Sequence, residues 1–445
     1  MVSEAIEKDE GVPKATLSTF DVVAIIVGIV VGAGIFKTPS LIAANVSDIV
    51  EMLALWMIGG ALSFVGALCY AELATTYPNA GGDYHYLHRA FGRGVSFLFV
   101  WARMTVIQTG SIAFLAFVFG DYASQLVRLG PHSAAIYAGA VVLALTMLNV
   151  AGIDPGKSAQ NLLTSIEICG LLSVIVAGLI LVAPMADGTD AVDTIENGGH
   201  SIGLAMVFVL LTYGGWNEAA YVSAEIRGER RIAWALFVSL GLITTLYVLA
   251  NLAYWRALGL AGMVRSEVVA ADLMRRAVGE GGGRLISLII ALSALTSANA
   301  TVITGARAAY AVGRDYRLFG FLGRWDERAG TPVNALIAQG AVALALVVFG
   351  AMTRDGFTTI VEYTAPVFWL FFLLTGVALF VLRVKEKERQ RPFTVPLYPV
   401  VPLIFCASSA YMLHSSLRYT GIGAVAGVAV LACGLPIFGL ARRRA

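Results

Sequence analysis

The sequence predicts an all-α integral membrane protein of twelve transmembrane helices, a reading that rests on three observations. Hydrophobic residues fill 58% of the 445 positions and charged residues only 13%, with a mean hydropathy of +0.78, which excludes an ordinary soluble protein. Apolar windows of about 20 residues, the length a helix needs to cross a bilayer, recur along the whole chain. Two of these windows are interrupted at midspan by glycine-rich stretches, in corresponding positions of the two halves.

The expected spans run near Phe20–Ala44, Ile49–Tyr77, Val95–Val127, Ala134–Ala151, Leu162–Ala183, Ile202–Ala224, Ile232–Leu258, Leu285–Val312, Val333–Ala351, Ile360–Leu382, Tyr398–Leu417 and Ile422–Leu440. An even number of spans puts both termini on one side. Segments on that side hold roughly twenty Lys and Arg residues, including Arg227, Arg230, Arg231 and Arg442 to Arg444, against roughly eight opposite, so both termini are expected to be cytoplasmic. Residues 1–17 form a polar tail without the apolar core of a cleavable signal, and residues 18–445 read as one transmembrane domain. Cys69, Cys169, Cys406 and Cys433 all fall within spans, where they serve as packing residues rather than a disulfide framework.

The first interruption, Gly28 to Phe36 (GIVVGAGIF), lies in the run beginning near Phe20; the second, Thr212 to Asn217 (TYGGWN), lies in the run beginning near Ser201. Their offset is about 180 residues, run start to run start and break to break. A glycine costs about 1 kcal/mol against alanine in a helix interior, so clusters at midspan mark points of unwinding. Backbone freed in this way cannot face lipid and must line a cavity enclosed by protein. Paired discontinuous spans point to a midplane substrate site in a secondary transporter. The competing explanation is helix packing through small residues, which Gly28 and Gly32 would also permit.

Four strings carry a family resemblance: the GAGIF break, YGGWN followed by Glu225, the stretch Gly66 to Leu87 (GALCYAELATTYPNAGGDYHYL), and the eighth-span run SALTSANATVITGARAAYAVGRD. Together they resemble the amino acid-polyamine-organocation superfamily, and within it the L-type amino acid transporters and their bacterial relatives. The resemblance implies a leucine-transporter-like fold, with inverted repeats of five spans each (residues 18–184 and 201–384) and two peripheral helices (398–440). It implies a cell-membrane permease, of the inner membrane in a bacterium, that moves L-amino acids, neutral ones foremost. The substrate carboxylate would then meet backbone at Val31, Gly32, Ala33 and Gly34, and the α-amino group carbonyls near Ile29 and from Leu210 to Tyr213. The side chain would lie by Leu211, Thr212, Gly214 and Asn217. L-type members carry an aromatic gate where this chain has Leu211, which weakens the expectation of large apolar substrates. Tyr247 matches a tyrosine that helps close the site in relatives, and also reads as a core aromatic. Polar residues of Gly66 to Leu87 read as a topogenic loop without a direct substrate role.

Ionisable residues inside spans are functional candidates by default. Glu167 stands where many relatives have lysine. Since burial disfavours the charged form of a carboxyl group, Glu167 is expected to carry a proton, or to hold a cation such as sodium with Thr296 and Ser297, or to pair passively with Arg103. Glu218 reads as a second titrating group or as a helix cap. Glu72 and Glu225 are expected to pair with Arg307, and Lys37 to snorkel toward the outer interface.

The only enzyme-like string, GHSIG at Gly199 to Gly203, lacks its strand-turn-helix setting and has one later histidine, His414, so no enzymatic activity and no cofactor or metal are expected. No nucleic acid partner is expected. Animal L-type relatives join an accessory glycoprotein through a loop cysteine between the third and fourth spans. The corresponding loop here, near Arg128 to Ser133, has none, so no covalent accessory subunit is expected. Gly423 and Gly427 permit a homodimer contact or ordinary helix packing, leaving monomer and homodimer open.

Overall fold

A computed structural model describes residue 23 and residues 26–28, 30–79, 81–152, 157–183, 201–217, 229–353, 355–419 and 421–443. The helices are α1 (Thr38–Ala43), α2 (Ile49–Thr76), α3 (Asp83–Phe91), α4 (Arg93–Ser124), α5 (Ser133–Val150), α6 (Lys157–Val176), α7 (Ile202–Thr212) and α8 (Glu229–Arg265). They continue with α9 (Val269–Val278), α10 (Glu280–Asp315), α11 (Val333–Ala351), α12 (Gly356–Lys385), α13 (Val400–Tyr419) and α14 (Ile422–Arg443). Among the described residues there is no strand beyond an isolated bridge between Asp326 and Thr331, and nine helices are long and apolar enough to cross a membrane. Two shorter apolar helices, Ser165–Leu181 and Ile202–Thr212, coincide with the fifth and sixth expected spans.

Local chemistry starts several of these elements. Asp48, Ser201 and Asp355 each accept a backbone N–H of the first turn of α2, α7 and α12, satisfying donors a helix start leaves open. Within α4, residues Arg103–Ile107 form a π-turn, a widening that re-aims the side chains around it. Gly259, at φ +66°, kinks α8.

Helices approach closely where side chains are smallest. A Cβ at Gly120 of α4 would sit 2.2 Å from Ala134 O at the start of α5, and one at Gly60 of α2 would sit 2.1 Å from Thr244 Oγ1 of α8. The pair Gly423 and Gly427 is used in the same way: their Cβ positions would meet Thr359 O at 2.6 Å and Tyr363 O at 2.0 Å on α12. The small-residue face of α14 is thus consumed inside the chain, which removes it as a homodimer contact. Cys69 is buried and Cys406 partly so, but Cys169 and Cys433 are exposed and do not serve as packing residues.

Gly427→Ala should therefore destabilise the purified protein by about 1–3 kcal/mol through overpacking, read as a lowered melting temperature, while Gly439→Ala, where an added Cβ meets nothing within 4 Å, should leave it unchanged.

Candidate functional site

Both glycine-rich stretches are breaks in the structure. The first half-helix closes with Val31 N–H donating to Val27 O at 2.8 Å. The chain is extended at Gly32 (φ −147°, ψ −175°), resumes as a 3-10 turn over Ala33–Phe36 and continues into α1. An added Cβ at Gly32 would approach only Val30 O, at 3.9 Å, so this glycine is not a helix-packing residue. On the other side α7 ends at Thr212, residues Tyr213 to Gly215 turn, and helix resumes at Trp216. Gly215 has φ +102° and a Cβ on Gly214 would clash with Leu211 O at 2.8 Å, so both positions need glycine.

The two breaks touch. Thr38 Oγ1 lies 2.7 Å from Thr212 Oγ1 and 3.0 Å from Gly34 O, while Thr212 Oγ1 reaches Phe208 O at 2.8 Å. Tyr247, fully buried on α8, points its hydroxyl at Val30 O (2.9 Å) and Thr212 O (3.2 Å), one carbonyl from each break. Its single proton bridges the ends of two half-helices. Trp56 and Tyr213 stack edge-on around that ring at 5.4 and 5.1 Å.

Beside this junction lies a cavity of about 320 Å³, in the range that small-molecule sites occupy. Gly32, Ala33, Gly34, Leu211, Thr212, Gly214, Asn217 and Ser297 line it. Val31 N–H is already taken by Val27 O, while Gly32, Ala33 and Gly34 border the cavity at the start of the resumed turn, where a helix start leaves backbone N–H groups open. Leu210, Tyr213 and Tyr247 stand behind the lining as buried packing and hydrogen-bonding residues. Ile29, Glu218 and Glu225 lie outside the described residues.

Of the expected coupling set, Ser297 lines the cavity, Glu218 lies outside the described residues, and Glu167 and Thr296 are not in the lining. Thr296 returns its hydroxyl to Leu292 O at 2.9 Å. Glu167 is buried on α6 beside Ser293 of α10, and among the described residues neither Glu167 Oε1 nor Ser293 Oγ has a partner in hydrogen-bond geometry, the two lying near each other without a well-formed bond. Arg103, the first residue of the π-turn of α4, lines the cavity, and no ion pair joins it to Glu167 among the described residues. Asp83 also lines the cavity, accepting from Thr375 Oγ1 at 3.2 Å, so the Gly66 to Leu87 string reaches the cavity wall rather than serving only as a loop. Gln108 and Ser111 complete the α4 wall. A polar residue in an apolar span is a signal that was available for Gln108; the π-turn leaves none.

Two further expectations change. Lys37 does not snorkel: it is 7% exposed and pairs with Asp121 of α4 at 2.7 Å while donating to Glu267 O at 3.2 Å. The 3-10 turn swings it inward, where Asp121 offers a buried counter-charge. Glu72 does not pair with Arg307. Arg383 binds it through two nitrogens, Arg391 stands 3.6 Å away and Val395 N–H donates at 2.7 Å, because the chain following α12 folds back over the end of α2.

A family profile described as amino acid permease matches residues 17–430. The chain belongs to the amino acid permease family. This permease is 30% identical over 399 residues to the b(0,+)-type amino acid transporter 1 of Homo sapiens, covering 88% of the chain and 80% of that protein. It is 29% identical over 427 residues to the large neutral amino acids transporter small subunit 2 of Mus musculus, covering 93% and 78%. The breaks and cavity lie well inside the matched region.

Lys37→Met should cost the permease about 3–5 kcal/mol, since Asp121 would be left buried without its partner; adding Asp121→Leu should recover part of the lost thermal stability, as measured by melting of the detergent-solubilised protein.

Proposed function

We propose that this permease is a secondary active transporter, not an enzyme, that carries L-amino acids, neutral ones foremost, across the cell membrane by alternating access. The observation that carries the reading is the junction of the two breaks, joined through Thr38 and Thr212 and bridged by Tyr247, beside a cavity that Gly32 to Gly34 line. Freed N–H groups at the positive end of a half-helix suit a carboxylate, and carbonyls at half-helix C-termini suit an ammonium group, so the pair fits the part common to every α-amino acid.

In this reading the chain has twelve spans in two inverted repeats, 18–184 and 201–384, with residues 398–440 peripheral and both termini cytoplasmic, in the inner membrane if the cell is bacterial. Uptake is coupled to protons through Glu167. Its support is a carboxyl group buried in α6 with one oxygen unpaired, facing a serine that is also unsatisfied; a group so placed has reason to take up and release a proton. One relative is named a small subunit; this chain works without a covalent partner, as the connection from Gln125 to His132 has no cysteine.

In sodium-free proteoliposomes, an inward proton gradient should drive accumulation of labelled neutral L-amino acids. Glu167→Gln should abolish gradient-driven accumulation and retain counterflow. Uptake that needs internal amino acid and ignores pH would make the protein an exchanger, and saturable binding without translocation would make it a sensor.

A further inference from the structure

Beside the charged groups of Arg103 and Asp83, the α4 and α10 lining of the cavity carries three oxygens left to accept hydrogen bonds, and this bears on which side chains it takes. Gln108 on α4 is 8% exposed and lines the cavity. Its Nε2 donates to Thr304 Oγ1 at 2.9 Å and reaches Thr301 O at 3.4 Å. A backbone carbonyl can only accept, so the nitrogen must face α10 and the amide oxygen must point the other way. Among the described residues no donor reaches that Oε1. Ser111, three residues along the same helix face, donates its hydroxyl to Ile107 O at 2.9 Å, and Thr301 donates to Ser297 O at 2.8 Å. Both protons are committed to carbonyls of their own helices, which leaves only lone pairs for the cavity.

We infer that Gln108 Oε1, Ser111 Oγ and Thr301 Oγ1 form an acceptor wall selecting neutral amino acids whose side chain donates a hydrogen bond: those bearing a hydroxyl or a carboxamide. The inference rests on the amino acid transport reading above and names its substrate class. An aliphatic side chain of equal size would strip water from three acceptors and return nothing, a penalty that separates isosteres far better than shape does. Cationic side chains also donate, but the three neutral acceptors do not offset the cost of removing a full charge from water, and the charged residues in the lining, Arg103 and Asp83, are of opposite sign and add no net attraction. Leu211 lines the same cavity where L-type relatives carry an aromatic gate, and its smaller side chain leaves more room there.

The test compares L-threonine with its isostere L-valine, and L-glutamine with L-methionine, by kcat/KM for uptake into proteoliposomes and by stabilisation of the solubilised protein against heat. The wild type should favour threonine over valine and glutamine over methionine by at least about fivefold, the worth of one hydrogen bond of about 1 kcal/mol. Gln108→Met should bring the glutamine to methionine ratio near one, and Ser111→Ala should lower the threonine to valine ratio. Each ratio is internal to one variant, so a loss of folded protein does not alter it, and Ser111→Ala keeps the test open if Gln108→Met fails to fold. Equal handling of the isosteres by the wild type, or ratios unmoved by both substitutions, would overturn the acceptor wall while leaving transport intact. A protein neither transporting nor stabilised by any of the four amino acids sinks both readings.

Discussion

A broken helix inside a membrane must have its freed backbone groups satisfied by protein, because lipid offers no partner, and much of this structure answers that demand at two places at once. The answer is asymmetric. Carbonyls are met by hydroxyls: Tyr247 and Tyr122, from neighbouring helices, serve Val30 O, Thr212 O and Phe36 O (the last at 2.6 Å), and Thr38, one turn along the same segment, serves Gly34 O. Gly32 to Gly34 instead border the cavity where the half-helix resumes, and a helix start leaves backbone N–H groups open. Neighbouring helices thus quench the acceptors and leave donors exposed, which turns the first break toward anions.

Buried ion pairs hold the parts around the breaks in place. Lys37 and Asp121 tie the start of α1 to the end of α4, and Glu72 with Arg383 and Arg391 ties the chain after α12 to the end of α2. Such pairs add little net stability compared with apolar packing but are expensive to break singly. Their contribution is positional: they add a fixed charge contact to short elements such as the six-residue α1, which is otherwise held by burial of five of its residues.

The breaks were legible because they depend on local chemistry. Glycines clustered at midspan mark them, and both unwind in the structure at Gly32 and at Gly215. The Ser201 cap likewise sits where the sixth expected span begins. Partners distant in sequence were not legible. Lys37 and Asp121 are 84 positions apart and Glu72 and Arg383 are 311 apart, and no spacing rule links them; the positive-inside and snorkelling expectations described lone charges, and the fold supplied company. Arg103 escaped for a different reason. It begins the π-turn of α4, an irregularity that shifts side chains off the regular helical register, and nothing in RMTVI announces it.

Polarity in the cavity follows from a single accounting of protons. At the break, N–H groups lack carbonyls because the helix has ended; on the α4 and α10 wall, hydroxyls lack free protons because each is given to the carbonyl one turn back. Helix interruption makes donors, and helix continuity turns serine and threonine into acceptors. A ligand lying between the two surfaces meets donors at its carboxylate end and acceptors at its side-chain end. In the proposed reading, backbone geometry at the break and hydroxyl geometry on the opposite helices orient such a ligand together with the charged groups of Arg103 and Asp83 that share the lining.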